Sequence, residues 1–127
     1  VAVHGCGRIL DPPDARGQIE GGVVQGLGQA LLEELTYAHG MPTNATLVDY
    51  KVPTSMDVPP IRTVFVESMT STGEVTEPKG VGEPAVIPTS AAVANAVAAA
   101  VGARLTAIPM TAERCWAALR TIRTETL

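Results

Sequence analysis

The chain has 127 residues, 46% of them hydrophobic and 17% charged, which suits a buried core at the size of one domain and excludes a disordered chain. Nine Lys and Arg against thirteen Asp and Glu leave a net charge of −4, which argues against a nucleic-acid partner. The longest apolar stretch, 90–101, is interrupted by Asn95 and falls short of the roughly 20 residues that span a bilayer, so no membrane partner is expected.

Val1 to His4 reads as the end of a strand, and Gly5-Cys6-Gly7 turns it. Without an initiator Met or a leader, the chain is expected to be processed, cut, or a piece of something longer. Residues 8–13 read as irregular, because Pro12 and Pro13 cannot donate to a ladder. From Gly17 to about Thr36 the pattern is helical. Ile19, Val23, Val24, Leu27, Ala30, Leu31 and Leu35 share a broad apolar face, while Gln18, Gly22, Gln25 and Gln29 fall on the opposite stripe. Four glycines inside this helix, Gly21, Gly22, Gly26 and Gly28, cost about 1 kcal/mol each relative to Ala, so they need a packing or functional reason. Gly22, Gly26 and Ala30 recur every fourth residue. They fit a tight helix–helix crossing or a helix laid against a polar cofactor, and spacing alone leaves both open.

Gly40, Pro42 and Asn44 mark a turn, and Leu47 to Val52 reads as a short strand closed by Pro53. Residues 57–60 are loop, and the alternating, β-branched run Ile61 to Glu67 is a strand. Lys79 to Pro84 is a glycine-rich loop. Ser90 to Val101 is apolar nearly all round and is expected to be a buried, Ala-rich helix, started by Thr89 or Ser90 and ended by Gly102. Thr111 caps a last helix to about Arg123, with Trp116 and Leu119 on its inner side. The fold class is α+β, one domain or domain fragment over 1–127. Cys6 and Cys115 are expected to be free thiols, and His4 and His39 are structural or exposed. No metal-ligand constellation, dinucleotide fingerprint or phosphate-binding loop is present.

Glu83 stands between Gly82 and Pro84. Proline holds the preceding residue extended, and the glycines strip bulk from the loop, so a carboxylate there is either a solvated loop glutamate or a general base shown to a ligand. Lys79, four residues earlier, is a surface lysine, a partner for Glu83 or a contact for an anionic cofactor.

The runs Gly17 to Gly28, Leu32-Glu33-Glu34, Asp49 to Pro53 and Lys79 to Pro84 resemble the C-terminal part of the molybdenum-binding subunit of the xanthine dehydrogenase and aldehyde oxidase family. The helix at 90–101 and the run Pro109 to Arg114 resemble its C-terminal end. The resemblance implies oxidative hydroxylation of an aldehyde or an N-heterocycle at molybdenum held by molybdopterin. It puts Glu83 in the place of the general base and Gln18 in that of a pterin contact, with Gly17 and Gly82 beside them and Gln25 and Lys79 as weaker contacts. It also implies an enzyme whose partners are the rest of the molybdenum-binding subunit and the domains or subunits that carry iron–sulfur clusters and FAD. Cysteine usage fits a reducing compartment, and a cytoplasmic location is expected. The upstream pterin loops and the pocket-lining arginines and phenylalanines of the family lie outside these residues, so the isolated chain is expected to be inactive. His4-Gly5-Cys6-Gly7 departs from the acidic residue frequent at that turn. A docking or assembly module, self-associating through an uncovered apolar face, is the alternative. Retention of both Gln18 and Glu83 favours the enzyme.

Overall fold

The computed structural model describes residues 1–125. In chain order it contains β1 (Ala2–Gly5), α1 (Pro12–Leu31), β2 (Tyr37–Ala38), β3 (Met41–Pro42), β4 (Thr63–Val66), α2 (Val86–Val101) and α3 (Ala112–Glu125), the α+β mixture expected. β1 and β4 pair in parallel, Ala2 opposite Thr63 and Gly5 opposite Val66. β2 and β3 form a small antiparallel hairpin whose turn places His39 and Gly40 at positive φ. No helix among the described residues is long and apolar enough to cross a membrane.

α1 begins five residues earlier than its glycine-rich run suggests. Asp11 caps it, its side chain accepting from the Asp14 amide at 3.2 Å, and Pro12 and Pro13 occupy the first turn. There the missing N–H of proline costs nothing, since those donors have no helical partner anyway. The helix stops at Leu31, short of Thr36, because the Gly28 carbonyl accepts from both Leu32 and Glu33, at 2.9 and 2.8 Å, and the chain turns away.

Leu47 to Val52 is not a strand. The amides of Asp49 and Tyr50 both donate to the Thr46 carbonyl, which closes a turn and leaves Leu47 and Val48 exposed. α2 starts at Val86, with Ala85 as its N-cap and no side-chain cap. Thr89 donates back to the Ala85 carbonyl at 2.7 Å and Ser90 to the Gly26 carbonyl of α1 at 3.2 Å, so neither hydroxyl is a cap. Gly102 ends the helix in the left-handed conformation, as expected.

The all-round burial expected of α2 is absent: Thr89 is its one buried residue, because α1 covers a single face. α3 differs likewise. Thr111 accepts from the Arg114 amide at 3.3 Å as a cap should. Trp116, however, is 58% exposed beneath the Arg120 guanidinium, and Leu119 is also exposed. The start of α3 is tied down instead by Arg114, which donates to the Pro109 carbonyl at 2.8 Å and to Glu34 at 2.6 Å.

Ile19, Ala2 and Ala85 form the buried core, with Val23, Ile61, Phe65 and Val81 packed around them. The glycine stripe of α1 is a crossing point for α2. A Cβ on Gly22 would lie 2.8 Å from the Ala85 Cβ, and one on Gly26 would lie 2.5 Å from the Thr89 Cβ. Gly22 therefore leaves the polar stripe and joins the buried side.

Candidate functional site

Two core residues place the two candidate site residues. Ile19 is fully buried on α1, and the preceding Gln18 is carried to the rim of the core. Ala85 is buried at the start of α2, and Glu83 lies two residues before it. The Glu83 carbonyl accepts from the Val86 amide at 3.0 Å, so the loop runs directly into the helix. A Cβ built on Gly82 would sit 3.3 Å from Gln18 Oε1, and the Gly82 carbonyl faces Gly22 at 3.3 Å from where its Cβ would be. The structure thus brings Gln18 against the Gly82–Glu83 loop.

Gly82 eases that closeness and takes no unusual dihedrals, since neither Gly80 nor Gly82 has a positive φ. Gly22 is the residue that sequence reasoning missed as part of this arrangement. Its recurrence with Gly26 was the signal, and its role is to admit the loop carbonyl.

Glu83 is exposed, and Lys79 forms no ion pair with it. The Lys79 amide instead donates to the Cys6 carbonyl at 3.0 Å, which ties the loop to the end of β1. Gly7 permits this approach twice over. Its φ is +62°, and a Cβ there would collide with the Glu77 carbonyl. Gly17 and Gln25 lie exposed along α1, and no hydrogen bond joins either to the loop. Both cysteines are free, Cys6 buried and Cys115 partly so.

The other motifs of the resemblance hold the far end of α1. The Tyr50 hydroxyl donates to Glu33 Oε2 at 2.9 Å, and Gly28 leaves room for both Glu33 and Pro53. Glu34 pairs with Arg114, and its carbonyl accepts from the Asn44 side chain at 2.7 Å. The hydrogen bond to Glu33, with lesser desolvation and the negative charge of Glu33, raises the Tyr50 phenol above its ordinary value. A raised acid contributes stability that is complete below the unfolded pKa of about 10 and is lost as pH climbs through the folded one. The melting-temperature gap between wild type and Tyr50→Phe is therefore expected to hold at neutral pH and to narrow above pH of about 10. A gap that widens there would contradict the assignment.

Residues 1–59 match the family described as molybdopterin cofactor-binding domain. The xanthine dehydrogenase molybdenum-binding subunit of Escherichia coli O157:H7 is 39% identical over 122 residues, covering 90% of this chain and 15% of that protein. The aldehyde oxidoreductase molybdenum-binding subunit PaoC of Escherichia coli K12 is 37% identical over 116 residues, covering 90% of this chain and 16% of that protein. Quinoline 2-oxidoreductase from Pseudomonas putida 86 superposes with a TM-score of 0.82 at 38% identity, over 93% of this chain and 15% of that one.

The chain has the fold of a segment of that oxidoreductase. More narrowly, the chain is homologous to part of the molybdenum-binding subunits of the xanthine dehydrogenase and aldehyde oxidase family, as its motifs implied. It spans about one sixth of the length of the relatives it matches.

Proposed function

We propose that this chain supplies one wall of the molybdopterin site and the proton-accepting carboxylate of a molybdenum hydroxylase acting on an aldehyde or an N-heterocycle. The observation that carries the reading is the placement of Gln18 against Gly82, one residue from Glu83, with both segments anchored in the same core. The residues fit a pterin. Among the described residues the Gln18 amide makes no hydrogen bond, and a Cβ on its neighbour Gly17 would meet nothing within 4 Å. Amides of this kind match the alternating donors and acceptors of a pterin edge.

The cofactor, when bound, supplies the oxygen-transfer and electron-accepting chemistry. Gln18 orients it through its amide, and Gly17 and Gly82 leave it room to approach. Gln25 and Lys79 offer further polar contacts. Glu83 takes up a proton at its carboxylate. Its exposure in this chain means that the enclosing walls come from the rest of the protein. Iron–sulfur clusters and FAD on other domains or subunits would supply the electron-transfer chemistry.

The 127 residues act as one domain fragment and are inactive alone, because catalytic groups must be held to within about 0.5 Å of working geometry. The free thiols suit a cytoplasmic protein. The test is Gln18→Ala in the complete assembly. Molybdenum and pterin content should fall several-fold while the assembly remains intact. Wild-type cofactor content would remove Gln18 from this role.

A further inference from the structure

Among the described residues β1 has one partner strand, and its opposite edge borders a groove of about 230 Å³. Ala2, Val3 and His4 line one side of the groove, and Pro88, Thr89 and Ala92 of α2 line the other. Alternate residues of a strand point to opposite faces, so a hollow touching three in succession runs along the backbone edge. No β4 residue lines it, which places it on the free side.

The hydrogen bonds agree. The Ala2 amide donates to Arg62 and the Cys6 amide to Val66, on the β4 side. By two-residue alternation, the amides and carbonyls of Val3 and Gly5 point into the free edge. A two-stranded parallel sheet with a bare edge is a poor end state, since parallel strands occur almost only within covered sheets. The outer face is also apolar and open, with Val3 60% and Val66 46% exposed.

We propose that this edge is completed by an extended, apolar strand from the remainder of the molybdenum-binding polypeptide, hydrogen-bonded to Val3 and Gly5 and covering Ala92 of α2. The lining carries no Asp, Glu, Lys or Arg, which selects an apolar occupant. In the relatives this segment is about 15% of one chain, so the same polypeptide holds ample length to supply the strand. The inference is independent of the role given to Glu83.

Amide hydrogen exchange on the assembled native protein tests it. Val3 and Gly5 should exchange at least ~100-fold slower than unprotected amides, at every protein concentration. Ala92→Lys, at an exposed position, should return both to fast exchange while the β4-facing amides of His4 and Cys6 stay slow. Unprotected Val3 and Gly5 in the wild-type assembly would overturn the proposal, whatever the variant does. Protection that disappears on dilution would overturn it in favour of a second copy, and protection that survives Ala92→Lys would remove the strand from the groove.

Discussion

Glu83→Gln in the complete assembly is expected to reduce turnover by roughly 10²–10⁴-fold, the range that a positioned general base contributes. Molybdenum content should stay near wild type. The two outcomes separate because the substitution is nearly isosteric and touches no structural contact. The bond that seats the loop is made by the backbone carbonyl of Glu83 to Val86, and among the described residues its exposed side chain makes no hydrogen bond. The amide that replaces the carboxylate keeps its size but cannot take up the proton. Steady-state rates beside metal analysis check both halves. Turnover within twofold of wild type would return Glu83 to the status of a solvated loop residue, even with Gln18 retained as a cofactor contact.

What sequence made legible follows the range of the forces involved. The sheet strands, the glycine-rich helix, the Gly102 stop and the Thr111 cap all rest on local preference or short-range pattern, and all are present. Pro12 and Pro13 were misleading because the same missing donor that breaks a strand is harmless in the first helical turn. Leu47 to Val52 has strand-like residues, but the Thr46 carbonyl captures two amides first and commits the segment to a turn. The exposure of α2, Trp116 and Leu119 was unreadable for another reason. Apolar content reports what a face can bury, not whether the neighbouring surface belongs to the same stretch of chain.

The site divides in the same way. The constraint on Glu83 is written in its neighbours Gly82 and Pro84, whereas the contact of Gln18 with Gly82 joins elements far apart in sequence and needs the fold. Spacing left the stripe of Gly22, Gly26 and Ala30 divided between a helix crossing and a cofactor face. Contact with Ala85, Val86 and Thr89 resolves Gly22 and Gly26 as crossing residues. The crossing also carries the loop that Gln18 meets, so packing and site are one arrangement.

That arrangement predicts opposite signs for two glycines five residues apart on the same helix. Gly21 is exposed, with nothing within 4 Å of an added Cβ, so Gly21→Ala should stabilise the protein by about 0.5–1 kcal/mol through reduced chain entropy. Gly26→Ala gains the same helix preference but drives its methyl to 2.5 Å from the Thr89 Cβ and 3.2 Å from the Val86 carbonyl. The Thr89 Cβ and the Val86 carbonyl belong to the body of α2 and cannot rotate away, so the helices must separate at a cost of about 1–3 kcal/mol. Because Ala85 caps that helix and Glu83 lies two residues before the cap, separation also shifts the Glu83 loop relative to Gln18. Thermal unfolding of the assembly should therefore rise for Gly21→Ala and fall for Gly26→Ala, with turnover falling in the second variant only. Equal stabilisation by both would mean that α1 and α2 do not cross at Gly26, and the seating of the Gly82–Glu83 loop against α1 would lose its support.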